Sequence, residues 1–278
     1  MSQIHSRFLT CADRTIHFLE AGDPERDTVV IWHGVTGSCR DHVDLVRNLA
    51  TDYHVICPDS IGCGLSDWVR DPDTDPGLTA YAAHARALLD QLGITSVRWI
   101  GASKGGGLGL ILADIMDECP ISHLVLNDVG PGFPERLRQA AAKNILHPPQ
   151  FKTFPAFADH LRALLSKGGL RLDEDHWQAL TRHWCRRTDT GQFTFQNDPA
   201  LAHQFTQQRQ DFDLWSHYDR ITAKTLLIRA EQSLIPEEDL MEMRARGPRC
   251  QVQSRPGGHI SLMTDPAEQT VIRAFLKS

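Results

Sequence analysis

No apolar run in this sequence reaches the length that crosses a bilayer, which argues against a helical membrane protein. A basic excess is also missing. The 29 lysines and arginines stand against 35 aspartates and glutamates, a net charge of −6, so no bulk field draws the chain to nucleic acid or an anionic membrane. The seven cysteines have no paired spacing and are odd in number, which fits a reducing compartment better than a disulfide framework. Met1-Ser2-Gln3-Ile4-His5 has no basic stretch leading into an apolar one, so no signal peptide is expected. Internal repeats and low-complexity segments are absent too. These absences predict a soluble cytoplasmic protein, monomeric or homodimeric, whose partner is a small-molecule substrate and neither nucleic acid nor membrane. Neither a metal nor a cofactor is expected.

What is present is an ordinary globular composition, 41% hydrophobic and 23% charged over 278 residues. That suffices for one large α/β domain with a small insertion. Two β-prone runs, Arg7 to Cys11 and Thr15 to Leu19, open the chain as an antiparallel pair would. Thr28 to Trp32 is apolar on both faces, as a buried parallel strand requires. Asp41 to Leu49 reads as a helix and Tyr53 to Cys57 as a strand. Thr79 to Leu92 places Tyr81, Ala85, Leu88, Leu89 and Leu92 at helical spacing, with Gly93 as the stop. The strand Ser96 to Ile100, a helix through Met116 and the strand His123 to Asn127 continue the alternation.

From Pro131 to about Tyr218 convincing strands give way to amphipathic helical stretches: Arg136 to Ile145, Phe157 to Leu165, Asp173 to Trp184 and Pro199 to Arg209. Two further strands, Lys224 to Arg229 and Gln251 to Ser254, and a helix from Pro266 to Leu276 close the chain. The whole pattern predicts an α/β fold: a mostly parallel, doubly wound eight-stranded sheet with helices on both faces. A helical cap, residues 132–217, is inserted into a core made of 1–131 and 218–278. It lies over the crevice at the carboxyl ends of the strands, where ligands bind in such sheets.

One stretch organises this plan. Gly101-Ala102-Ser103-Lys104-Gly105 follows an apolar strand and opens a Gly- and Leu-rich helix. A strand turning sharply into a helix with Ser at the apex is a nucleophile elbow. The flanking glycines suit a turn that leaves no room for side chains. The helix N-terminus favours negative charge developing beside the Ser103 hydroxyl.

Taken in order, His33-Gly34, Pro58-Asp59-x-x-Gly62-x-Gly64-x-Ser66, Gly101-x-Ser103-x-Gly105 and Gly258-His259 resemble the α/β-hydrolase superfamily. The resemblance covers essentially the whole chain. Asn127-Asp128-Val129-Gly130-Pro131 and Leu180-Thr181-Arg182-His183-Trp184 look like a branch of small bacterial, cap-bearing, serine esterase-like members. It implies Ser103 as nucleophile and His259 as the base that takes its proton, the alternative for His259 being an ordinary loop histidine. It also implies an oxyanion hole formed by the backbone N–H groups of Val35 and Lys104.

The acid departs from the family pattern. Where that branch carries Asp after the penultimate strand, this chain reads Ala230-Glu231-Gln232-Ser233-Leu234, with Leu234 in its place. Asp128, at the end of a neighbouring strand, is the best replacement. A turn-capping role is its alternative, and Glu231, Glu237 and Glu238 are further candidates. The Lys104 side chain either places a cation near the pocket, able to pair with a substrate carboxylate or tune nearby pKa values, or runs along the wall with its charge in water. Trp177, Trp184, Phe193, Phe195 and Trp215 should mostly form the cap's own core, with one or two, Trp184 and Trp177 foremost, lining the pocket. Arg186 and Arg187 either meet an anion or end a solvated helix.

Three functions fit these residues. The leading one is a serine hydrolase that cleaves a small ester, lactone or thioester through an acyl-enzyme. A C–C bond hydrolase or cofactor-independent lyase or cyclase in the same pocket is the second. The third is a ligand-binding protein on a retired hydrolase scaffold.

Overall fold

A computed structural model describes residues 3–278. Strands β1 (His5–Cys11) and β2 (Arg14–Ala21) form an antiparallel hairpin, turned by Ala12 and Asp13 at φ 47° and 71°. β2 then pairs antiparallel with β4 (His54–Pro58), which lies between it and β3 (Thr28–Trp32), and from β4 onward the pairing is parallel. Every residue of β3 and β4 is buried, as the apolar runs Val29 to Trp32 and Val55 to Pro58 demand, and the polar first residues Thr28 and His54 are hydrogen-bonded at 3.2 Å. A 3-10 turn (Cys39–His42) leads into α1 (Val43–Leu49), so the single helix read from Asp41 is two pieces. The elements α2 (Leu78–Gln91), β5 (Val97–Ala102), α3 (Lys104–Ile115) and β6 (Ile121–Asn127) follow.

After β6 the chain leaves the main sheet for α4 (Glu135–Leu146), α5 (Phe154–Lys167) and α6 (Glu174–His183). Thr153 and Asp173 cap α5 and α6 by accepting from Ala156 and His176 N–H. Here two expectations need correcting. A two-stranded hairpin, β7 (Cys185–Arg187) with β8 (Phe193–Phe195), stands where no strand was read, because three-residue strands are too short to show periodicity. The stretch read as one helix from Pro199 is a 3-10 turn, the short α7 (His203–Gln207) and a second 3-10 turn. The short α8 (Trp215–Tyr218) leads back to the sheet.

The chain closes with β9 (Lys224–Gln232), α9 (Glu237–Ala245), β10 (Gln251–Gly258) and α10 (Pro266–Leu276). α9 was not read from the sequence; its buried residues are only Leu240 and Met243, too few to draw a stripe. The eight-stranded sheet has the order β1-β2-β4-β3-β5-β6-β9-β10.

Side-chain alternation along these strands fills two cores. Val30, Trp32, Trp99, Leu124, Leu126 and Leu227 meet α2 and α3 on one face, with Trp32 and Trp99 stacked at 5.4 Å. On the other face Val29, Ile31, Ile100, Val125 and Ile228 meet α1 and α10. A third cluster holds the inserted segment together through Phe157, Leu161, Leu165, Trp177, Leu180 and Trp184. The insertion, here called the cap, sits on the loops at the carboxyl ends of the strands. Asp198 N–H donates to Gly62 O at 2.8 Å, Gly64 N–H to Gln196 Oε1 at 2.8 Å, and Leu78 N–H to Asp211 Oδ2 at 2.8 Å. Among the described residues no helix is long and apolar enough to cross a membrane.

Candidate active site

Ser103 stands between β5 and α3 at φ 49°, ψ −115°, a conformation that costs a non-glycine residue roughly 1–3 kcal/mol. The neighbouring glycines are what allow it. A Cβ on Gly101 would overlap Gly105 O and Gly106 N, and one on Gly105 would overlap Trp32 O. The parallel register brings the ends of β3, β5 and β6 level with Ile228 inside β9, pairing Trp32 with Gly101, Ala102 with Asn127 and Asn127 with Ile228. Residues just past those ends therefore converge.

His259, one residue past β10, joins two of them. Its Nδ1 lies 2.9 Å from Asp128 Oδ2 and its Nε2 lies 3.0 Å from Ser103 Oγ. A carboxylate can only accept, so Nδ1 carries the proton and Nε2 is left to accept from the serine hydroxyl. Asp128 has a fully buried carboxylate. Burial would raise its pKa, but bonds from His259, Ser233 and the Ala230 N–H outweigh burial and hold it below the ordinary carboxylate range. Ala230 N–H donates to Oδ1 at 2.9 Å, and Leu234 N–H approaches Oδ2 at 3.4 Å. Leu234 thus brings a backbone donor to the acid. The other acid candidates lie elsewhere: Glu231 and Glu238 are exposed, and Glu237 pairs with Arg229 at 2.9 Å.

The loop carrying Val35 passes directly over the serine; a Cβ on Gly34 would sit 3.6 Å from Ser103 Cβ. His33 shapes that loop. Its Nδ1 donates to Gly34 O at 2.6 Å and its Nε2 accepts from Ser60 N–H at 2.9 Å. Burial, and then the nearby Lys104 charge, lower its pKa to about 3, so it stays neutral.

The glycine-punctuated loop after β4 is built around Asp59. Its carboxylate takes His17 Nδ1 at 2.7 Å, Cys39 N–H at 2.7 Å and Leu65 N–H at 2.9 Å. His17, Cys39 and Asp59 offer three buried ligand-type atoms within 4.8 Å of one another. The Asp59 carboxylate is engaged by those bonds, and His17 Nε2 by Ser6 Oγ at 2.7 Å, which makes the group a loop brace.

Three features were not visible in the sequence. Asp41 is buried, accepts from Trp184 Nε1 at 2.8 Å and Ser38 N–H at 3.0 Å, and is pushed by burial to about 7. Arg255 Nη2 donates to His259 O at 3.1 Å while its Nε and Nη2 reach Asn127 Oδ1 at 3.3 Å, steadying the histidine loop from behind. Gly168 and Gly169 of the cap press on the glycines before His259, where a Cβ on Gly258 would overlap Gly168 O. No residue letter announces any of these contacts.

The expectations for side chains around the pocket divide. Trp177 and Trp184 are each 5% exposed within the cap's own core, although Trp184 reaches Asp41 from there. Arg186 lies over Trp68 at 4.9 Å and Arg187 over Phe193 at 4.3 Å, both on the hairpin and not on a helix end. The Lys104 side chain does not snorkel to water. It is 8% exposed, its Nζ stands 4.1 Å from the Tyr81 ring centroid, and that Nζ has no hydrogen-bond partner among the described residues.

Comparison with known proteins agrees with this architecture. Residues 29–273 match the model described as "Alpha/beta hydrolase family". The chain is similar to the 3-hydroxybutyrate-oligomer hydrolase of Cupriavidus necator, 30% identical over 268 residues that cover 92% of this chain and 90% of the relative. The crystal structure of an alpha/beta hydrolase from Novosphingobium aromaticivorans superposes with a TM-score of 0.87 and 28% identity, covering 100% of this chain and 99% of that one. An esterase of M. tuberculosis shares the fold at a TM-score of 0.78 and 21% identity, covering 100% and 93%. The chain belongs to the alpha/beta hydrolase family, and it is an enzyme of the hydrolase class.

Proposed function

We propose that this hydrolase cleaves a small ester, or the related lactone or thioester, through an acyl-enzyme on Ser103. The observation that carries the proposal is the unbroken relay Ser103 Oγ, His259 Nε2, His259 Nδ1, Asp128 Oδ2, with contacts of 3.0 and 2.9 Å. His259 takes the hydroxyl proton as Oγ attacks the carbonyl carbon, and Asp128 stabilises the imidazolium that forms. The N–H groups of Val35 and Lys104 receive the oxyanion at the start of α3, where the helix dipole assists. His259 then returns its proton to the leaving alcohol. Water activated by the same nitrogen releases the acid and restores Ser103.

Ester chemistry is preferred to C–C cleavage because the Cupriavidus necator relative is named for hydrolysis of a hydroxybutyrate oligomer, and hydroxy acids join by ester bonds. A fluorophosphonate probe followed by mass spectrometry tests the reading. Labelling should fall on Ser103, and Ser103→Ala should lose several orders of magnitude in kcat on a short p-nitrophenyl ester while its circular dichroism is retained. An unlabelled Ser103, or wild-type turnover by the variant, would overturn it.

A further inference from the structure

Lys104 does two different things with its two nitrogens. Its backbone N–H opens α3 beside Ser103, while its side chain carries a cation that forms no ion pair among the described residues. The Nζ has no hydrogen-bond partner among the described residues, and the residue is 8% exposed. The two groups placed against it are an aromatic ring and a thiol. The Tyr81 ring faces it at 4.1 Å, with the Tyr81 hydroxyl turned to Ile61 O at 3.2 Å. The nearby Cys63 thiol donates to Val35 O at 3.3 Å and is pushed up to about 12 by burial, so it remains neutral. Cys63 belongs to the apolar cluster in which Leu201, Ala202 and Phe205 of the cap meet Val35, so the thiol beside the ammonium lies at the seam between the cap and the Val35 loop.

A buried, unpaired ammonium is unfavourable, and one aromatic face offsets only part of that cost. An apolar side chain of similar length would fill the space without it. Burial lowers this ammonium to about 8, so at neutral pH the charge is still there to be answered.

We infer that Lys104 Nζ anchors a carboxylate of the substrate, so that the enzyme acts on short esters bearing a free acid. The inference rests on the acyl-enzyme reading, which places the scissile carbonyl at the Lys104 N–H. Its own side chain then spans the distance from that carbonyl to the carboxylate. One point charge with three donors suits a monoanion. A half-ester of a short dicarboxylic acid and an acylated hydroxy acid both meet this requirement.

The test compares matched pairs: mono-p-nitrophenyl succinate with p-nitrophenyl butyrate, and 3-acetoxybutyrate with its methyl ester. Wild type should favour the charged member of at least one pair by about 10- to 100-fold in kcat/KM, chiefly through KM. In Lys104→Met that ratio should fall to near one, with the fold checked by circular dichroism. Free butyrate should inhibit wild type competitively where butyramide does not, a measurement that needs no variant. Equal rates on charged and neutral members, with no inhibition by butyrate, would overturn the anchor even if Ser103 is labelled by the fluorophosphonate. Failure of that labelling would instead remove the serine-hydrolase reading on which the anchor stands.

Discussion

Replacing Asp128 with asparagine keeps the shape of the side chain but changes what it can accept. In the native site Oδ1 takes the Ala230 N–H at 2.9 Å, and Oδ2 takes His259 Nδ1–H at 2.9 Å with the Leu234 N–H at 3.4 Å. An amide has one accepting oxygen and one donating nitrogen. With its nitrogen at the Oδ1 position it would face the Ala230 N–H, a backbone donor held in β9 that cannot turn away. With its nitrogen at the Oδ2 position it faces an imidazole, which can shift its proton. The second arrangement therefore wins, and His259 carries its proton on Nε2, pointing at Ser103 Oγ. A nitrogen that already holds a proton cannot accept the serine's. The expected loss in kcat is on the order of 10⁴, about 5 kcal/mol of transition-state stabilisation. Steady-state turnover of a short p-nitrophenyl ester measures it, with thermal melting to show that the fold persists. Leu234→Asp in that background should recover part of the loss, because the Leu234 backbone already borders Oδ2. An Asp128→Asn enzyme that kept more than about a tenth of wild-type kcat would refute the tautomer argument.

Two other expectations concern stability. His33 at about 3 and His42 at about 4 are both depressed from 6.5 by burial, so the unfolded chain takes up their protons first. Their contribution is present above pH 6.5 and is lost as pH falls through 6.5 towards 4 and 3. Asp41, raised from 3.8 to about 7, runs the other way, its share being lost as pH rises towards 7. Two protons against one make the share of these three groups fall on acidification below pH 6.5, so the drop in melting temperature from pH 6.5 to 4.5 should be smaller in His42→Asn than in wild type; an equal drop would contradict the assignment. Trp184→Phe removes the donor at 2.8 Å from Asp41 Oδ1 and should cost about 1–3 kcal/mol. Because the ionised carboxylate needs that donor more than the protonated acid does, the loss should be larger at pH 8.5 than at pH 5.5, and equal losses would count against it.

Much of the fold could be read from the letters because it rests on periodicity and breaks. Thr28–Trp32 and Pro266–Leu276 are bounded by their own residues, the first by the apolar run Val29 to Trp32 and the second by Asp265 and Pro266 at a helix start. The β7–β8 hairpin and α9 offered too few patterned positions. At the site, the convergence of Ser103, Asp128 and His259 follows from strand ends that the alternation already ordered. What stayed hidden was made by backbone and by burial. The Leu234 N–H that supports Asp128 has no letter of its own, and a leucine there reads only as a missing acid. Whether Lys104 reaches water depends on Tyr81 and Cys63, which are 23 and 41 positions away in sequence and meet it only through the packing of α2 and the β4 loop.

The meeting of Gly168 and Gly169 with Gly257 and Gly258 has a practical meaning for anyone who reshapes this enzyme. Backbone touches backbone there, with Gly169 and Gly257 at φ 89° and 87°, so no side chain cushions the fit between cap and histidine loop. A cap grafted from another member of the family must bring two glycines to that point. One that brings a larger residue will displace the loop carrying His259 before any substrate reaches it, however well its pocket is shaped.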